Sequence, residues 1–271
     1  MTQLKRHGCN KYIDYEELAT LPLPPARKRF VPMAHKDLYD RTVKNLSMLD
    51  YEVVNPKFLT DHTGLKFAAS FSVIHPRLTQ SDDYSFLIGL VSSNDNTLGT
   101  KMLAGTDTYL CANMCYGGSI VLSRKHTRNA GYDINKGLRD FTLNLEDLQK
   151  GVFTDYESLK EYDFSSKREV NDFVVQSCEQ GIIPWQHAPK VLEHWNNPEH
   201  PEFEERNAYC LNNAYTSHFR TINQFTLPEK TIRLRKFIDE FKRKETTDLA
   251  TIEHGPGELG EFAQSSSGFT W

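Results

Sequence analysis

The chain has no window of about 18 uncharged apolar residues, so no transmembrane helix is expected. Its opening residues, Met1 to Gly8, hold Lys5, Arg6 and His7 rather than an apolar signal core, which points to the cytoplasm. No Cys-x-x-Cys pair occurs. The five cysteines (Cys9, Cys111, Cys115, Cys178 and Cys210) are odd in number and scattered, which argues against a disulfide framework and for reduced thiols. Also missing are the Gly-Lys-Ser/Thr end of a phosphate loop, the Gly-x-Ser-x-Gly nucleophile elbow, and the kinase, deaminase and dinucleotide fingerprints. No catalytic signature names a reaction, no cofactor is expected, and a non-enzymatic role is the expected one.

Charge is unevenly spread along the 271 residues. The net charge is −4, yet Glu245, Asp248, Glu253, Glu258 and Glu261 stand in the last stretch without a single Lys or Arg. The remainder carries 32 basic against 31 acidic residues. Residues 245–271 also contain four glycines, three consecutive serines and no helical or strand period, so they are expected to form a disordered acidic tail ending in Phe269 and Trp271. At the other end, residues 1–33 read as an extended arm. Arg27, Lys28 and Arg29 lie among Pro22, Pro24, Pro25 and Pro32, and proline fixes φ and removes backbone donors.

Between arm and tail, residues 34–244 read as one α+β domain, with a sheet half (34–130) and a helical half (131–244). Ala34 to Leu49 has helical spacing through Leu38, Thr42, Leu46 and Leu49. Leu65, Phe67, Ala69, Phe71 and Val73 then alternate with polar or small residues, a half-buried strand. Further runs at 51–54, 84–91, 107–112 and 119–123 predict a mainly antiparallel sheet of about five strands over residues ~50–125. From Asp133 the period becomes helical: Ile134, Leu138, Phe141, Leu145 and Leu148 share one face. Helices are also expected at 167–179, 184–195, 203–219 and 227–244. Strands first and helices after predict an α+β fold whose C-terminal helices cover the sheet.

The densest chemical signal is Arg124-Lys125-His126-Thr127-Arg128, placed directly after a strand and before Asn129 and Gly131. Arg and Lys at this density engage phosphates, and Arg does so bidentately. Arg124, Lys125, His126 and Arg128 are therefore the candidate nucleic-acid-binding residues, with Lys101 beside them if neighbouring strands pair. Tyr109 and Tyr116 are candidate rings for stacked bases. Arg27, Lys28 and Arg29 are candidate phosphate contacts from the arm. The competing reading of each is bland, because charge runs are usually solvated faces and strand aromatics are usually core. Residues 92–97, all polar, read as a turn near this surface.

Metal sets are weaker. Cys111 and Cys115 with His126 offer zinc-type ligands but lack the second close pair of a structural site. His187, His194 and His200 do not follow the His-Glu-x-x-His pattern. Packing is the preferred role for both groups, and no metal is assigned. The tail offers a second electrostatic feature: carboxylates compete with phosphates for Lys and Arg, so it is a candidate docking segment for replication proteins.

The order Asp83, Tyr84, Ser85, then Gly89 through Asp95, Gly105, Tyr109 through Asn113, and Arg124 through Arg128 resembles the phage/plasmid-like family of unknown function (domain-of-unknown-function family 932). The later Trp195, Asn196, Asn197, Pro198, His200 through Phe203 and Asn212 through Tyr215 are similar to that family's C-terminal signature. The resemblance covers roughly residues 20–240 and departs from the family pattern at Val91 and Ser92. It implies a bacteriophage or mobile-element origin and action in the host cytoplasm, without a reaction. The expectation is a phage-encoded nucleic-acid-binding protein, for single-stranded DNA in replication, recombination or annealing. Two rival classes are a host-takeover or anti-defence protein acting by protein–protein binding, and a metal-dependent enzyme. Neither a membrane partner nor a defined oligomer is implied.

Overall fold

The computed structural model describes residues 10–27, 29–78, 84–108, 114–115, 120–219 and 225–253. Seven strands form one antiparallel sheet: β1 (Asn10–Ile13), β2 (Glu52–Asp61), β3 (Lys66–Ile74), β4 (Tyr84–Ser93), β5 (Thr100–Thr108), β6 (Met114–Cys115) and β7 (Ile120–Arg124). They neighbour one another in sequence order from β1 to β6, and β7 pairs with the first half of β5. The helices are α1 (His35–Ser47), α2 (Ala130–Leu143), α3 (Leu145–Lys160), α4 (Lys167–Glu179), α5 (Ala188–Asn196), α6 (Ala208–Phe219) and α7 (Leu227–Glu253). The predicted α+β class and the helices following the sheet are what the protein adopts. No helix among the described residues is long and apolar enough to cross a membrane.

Local chemistry explains the turns. Between β2 and β3, Asp61 accepts from Lys66 N (3.0 Å) and from the Thr63 hydroxyl (2.7 Å), and Gly64 takes φ +69°. That region favours glycine because no Cβ meets the preceding carbonyl. Within β2 the pairing slips between Val54 and Lys57. There Asn55 has φ 53° and Pro56 has no donor to give, so the strand bulges. The helix start at α4 is a reciprocal cap: Ser166 Oγ accepts from Glu169 N, while Glu169 accepts from Ser165 N and Oγ.

The sheet has seven strands rather than about five, and several boundaries differ from the sequence expectation. The arm is not wholly outside the sheet, since β1 pairs with β2 (Asn10 with Asp61, Ile13 with Phe58). The predicted continuous helix from Asp133 breaks at Asn144 (φ −104°, ψ 14°), giving α2 and α3. At the far end α7 continues as helix from Glu245 to Glu253, where a disordered tail was expected; residues 254–271 lie outside the described residues.

One contiguous set of buried apolar side chains runs from Ile13 to Phe241. Helix α1 packs Tyr39 edge-on against Phe58 (ring centroids 4.8 Å) and stacks His35 on Phe67 (5.1 Å). Helix α2 lies on β7 at Gly137, where an added Cβ would fall 2.4 Å from Leu122 Cδ1. Helix α3 reaches the sheet through Phe153 against Phe86. Helix α6 is buried along its length except at Ser217, enclosed by α3, α5 and α7. That enclosure accounts for its lack of a polar face.

Candidate nucleic-acid interface

Strand β7 runs out of the sheet at Arg124, which pairs with Thr100 across the ladder. Two tight backbone hydrogen bonds follow, Thr127 N to Lys125 O (2.8 Å) and Ala130 N to Thr127 O (3.0 Å). They turn the chain into α2. The turn leaves Arg124, Lys125, Thr127 and Arg128 exposed. The Arg124 guanidinium donates to Ser123 O (2.9 Å) and sits 3.9 Å from Asp133, with half of its side chain still in water. A surface pair of that length contributes little to stability and does not occupy the guanidinium.

His126 points the other way. It is only 4 % exposed, with Nε2 3.1 Å from Ser92 Oγ and 3.2 Å from Thr100 Oγ1. Burial pushes its pKa below the usual imidazole value, so at neutral pH it is an uncharged polar peg. Its placement departs from the expectation of a fourth surface cation: of residues 124–128 only the middle one turns inward and fills the core, with two exposed residues on either side. Ser92, Ser93 and Asn94 are likewise buried, so the polar run read as a turn begins as the end of β4. Ser92 is 1 % exposed, and among the described residues nothing hydrogen-bonds His126 Nδ1. A Ser–His contact without an orienting carboxylate or an accessible hydroxyl does not make a nucleophile.

The same peg holds the arm. Arg27 and Phe30 exchange backbone hydrogen bonds (2.8 and 3.1 Å), closing a tight hairpin with Arg29 exposed near its tip. Val31 N then donates to His126 O (3.0 Å), and the Phe30 ring lies 5.7 Å from the His126 ring. Two residues on, Asn94 clamps Met33 by accepting from its N–H (3.2 Å) and donating to its carbonyl (3.0 Å). Two segments almost a hundred residues apart in sequence are thus hydrogen-bonded side by side, and the Arg27, Arg29, Arg124, Lys125 and Arg128 they carry are all exposed. Among the described residues Asp133 is the one acid paired with any of them.

Lys101 does not join this surface. Its ammonium pairs with Glu229 in the first turn of α7, and its side chain is largely covered. Lys28, Tyr109 and Tyr116 lie outside the described residues, as does Cys111. Among the described residues no group of three or more His, Cys, Asp or Glu side chains is placed to hold a metal ion. Of the three histidines read together in the sequence, His187 pairs instead with His218 (2.9 Å), and His200 packs on Phe203. The sequence reading missed the residues that assemble the surface: Phe30, Ser92, Asn94 and Thr100. The signal for them was weak, a polar run inside a pattern of strands. Compared with known proteins, the chain matches no family model, no curated protein and no solved structure.

Proposed function

We propose that this protein binds nucleic acid through the joined basic surface of Arg27, Arg29, Arg124, Lys125 and Arg128, and that it serves replication, recombination or annealing on a phage or related mobile element. One observation carries the reading: the His126–Val31 junction, which sets the arm hairpin beside the β7 turn with all five cations exposed. Cations clustered around one near-neutral body displace the counterions condensed on a phosphate backbone, and that release is a large part of nucleic-acid affinity. Lysine and arginine serve differently here, Lys125 as a point charge and the arginines as forks that match two phosphate oxygens. The resemblance to the phage/plasmid-like family supplies the setting, the host cytoplasm.

The test is fluorescence anisotropy with labelled DNA over a salt series. Binding at micromolar protein is expected to weaken steeply with salt, each phosphate contact adding about 0.7 (single strand) to 0.9 (duplex) to the slope of log K against log salt. Changing Arg124 and Arg128 to Gln together is expected to lower affinity by roughly tenfold and to flatten that slope by between one and two. Salt-independent binding, or none at micromolar protein, removes the basis of the proposal.

A further inference from the structure

The solvent face of α2 continues the basic surface and differs from it in chemistry. Its inward face is Ile134, Leu138 and Phe141, all buried against the sheet. The opposite face presents Tyr132, Asn135, Lys136 and Arg139, which recur at helical spacing and are all exposed. Tyr132 is 74 % exposed, more than any other described large hydrophobic side chain. A lone exposed ring is ordinary on a protein surface. This one stands four residues after Arg128 and beside Asp133, the residue that pairs with Arg124. From α1, Arg41 donates to Asn135 Oδ1 (3.3 Å), bringing a further guanidinium to the same flank. Lys136 and Arg139 form no ion pair among the described residues.

We infer that α2 is a track for single-stranded nucleic acid, on which Tyr132 stacks an unpaired base while Lys136 and Arg139 take the phosphates beyond it. The inference rests on the nucleic-acid reading above and adds the strandedness of the ligand. A ring fixed on a helix has no access to a base stacked within a duplex, whereas every unpaired base offers a free face. Seven residues separate Tyr132 from Arg139, about 10.5 Å of helix, the length of about three stacked nucleotides at 3.4 Å each. Phosphates held at the β7 turn lead onto the helix, because Arg128 is two residues before its first turn.

The experiment compares a labelled single-stranded DNA oligonucleotide, its RNA counterpart and the matching duplex against wild type, Tyr132→Ala, Tyr132→Phe and the pair Lys136→Gln with Arg139→Gln. Tyr132→Ala is expected to weaken single-strand binding by about 5- to 100-fold with the salt slope unchanged, and to leave duplex binding nearly untouched. Tyr132→Phe keeps the ring face and should bind as wild type. The double glutamine variant should instead flatten the single-strand slope by about 1.4. The DNA and RNA arms report which backbone is preferred. Because Tyr132 is exposed, its thermal unfolding midpoint serves as a check that the fold is intact. If Tyr132→Ala binds single strands as wild type does, or loses duplex equally, the track is wrong while the basic surface stands. If the wild-type protein binds none of the three probes, both readings fall together.

Discussion

His35 and His126 sit at the junction of arm, sheet and first helix, and neither has room for a charge. His35 is 2 % exposed, stacked on Phe67 and 3.4 Å from Asn94 Nδ2. Burial depresses it to about 4, helped by the neighbouring His126 and opposed by backbone hydrogen bonding at Leu65 and by the Asp61 carboxylate. His126 is depressed by burial as well, and His218 falls to about 4 through burial and then its cationic neighbours. A histidine with a lowered native pKa takes up its proton more readily unfolded, so stability is full above pH 6.5 and declines as pH falls towards 4. From His35 alone the loss is on the order of 3 kcal/mol between pH 7 and pH 4. Urea unfolding across that range should show the decline, and His35→Gln should flatten it; an unchanged pH profile in that variant would mean the imidazole is not desolvated. His126 also marks what a sequence conceals at this scale. Five polar residues in a row look alike on paper, but a turn between strand and helix points one of them inward, and lack of a permanent charge narrows the choice only to His126 and Thr127.

Elements fix the candidate interface by how closely their backbones approach. Gly99 sits just ahead of β5, and a Cβ there would lie 2.8 Å from the Arg124 carbonyl oxygen and 3.3 Å from its carbon. Backbone does not yield as a side-chain tip does. Gly99→Ala should therefore cost about 1–3 kcal/mol in strain and displace the Arg124–Arg128 turn, lowering the thermal midpoint and, on the function proposed above, DNA affinity with it. Gly131 in the first turn of α2 is the control: nothing lies within 4 Å of its added Cβ, so Gly131→Ala should be neutral or stabilise by up to about 1 kcal/mol. Equal losses in the two variants would remove the steric account. Element identity was legible where apolar residues alternate with small or polar ones, as in β3, whose Phe67, Ala69, Phe71 and Val73 are all buried while Lys66, Ala68 and Ser72 on the other face are half-buried. It was less legible in β4, where Phe86 to Asn94 are buried on both faces and a polar end passes for a turn. Of the strand expected at 107–112, residues 107 and 108 end β5, whose buried core is Met102, Leu103 and Ala104, and 109–112 lie outside the described residues. The α2–α3 break was hidden because Ile134, Leu138, Phe141 and Leu145 hold one helical stripe across it.

At the scale of the molecule, strands before helices predicted the α+β class, since a chain that finishes its sheet early has only helices left to cover it. What composition did not reveal is how the late helices are tied down. Arg235 of α7 reaches back to α3, with Nε 2.8 Å and Nη2 2.7 Å from the two Asp155 carboxylate oxygens and Nη2 also 2.8 Å from the Asp155 carbonyl. Asp239 adds a second carboxylate at 3.4 Å. The guanidinium side chain is 9 % exposed, while Asp155 keeps about a third of its side chain in water. Most of the desolvation therefore falls on the arginine. Removing the acid leaves a buried cation with the longer Asp239 contact and a backbone carbonyl in place of its close ion pair, whereas removing the arginine takes the charge and its desolvation cost away together. Asp155→Ala should destabilise the protein by about 2–4 kcal/mol, and Arg235→Met, which keeps the volume, by distinctly less. Chemical denaturation of the two variants decides it, and the reverse order would mean that packing of the arginine stem, not burial of its charge, joins α7 to α3.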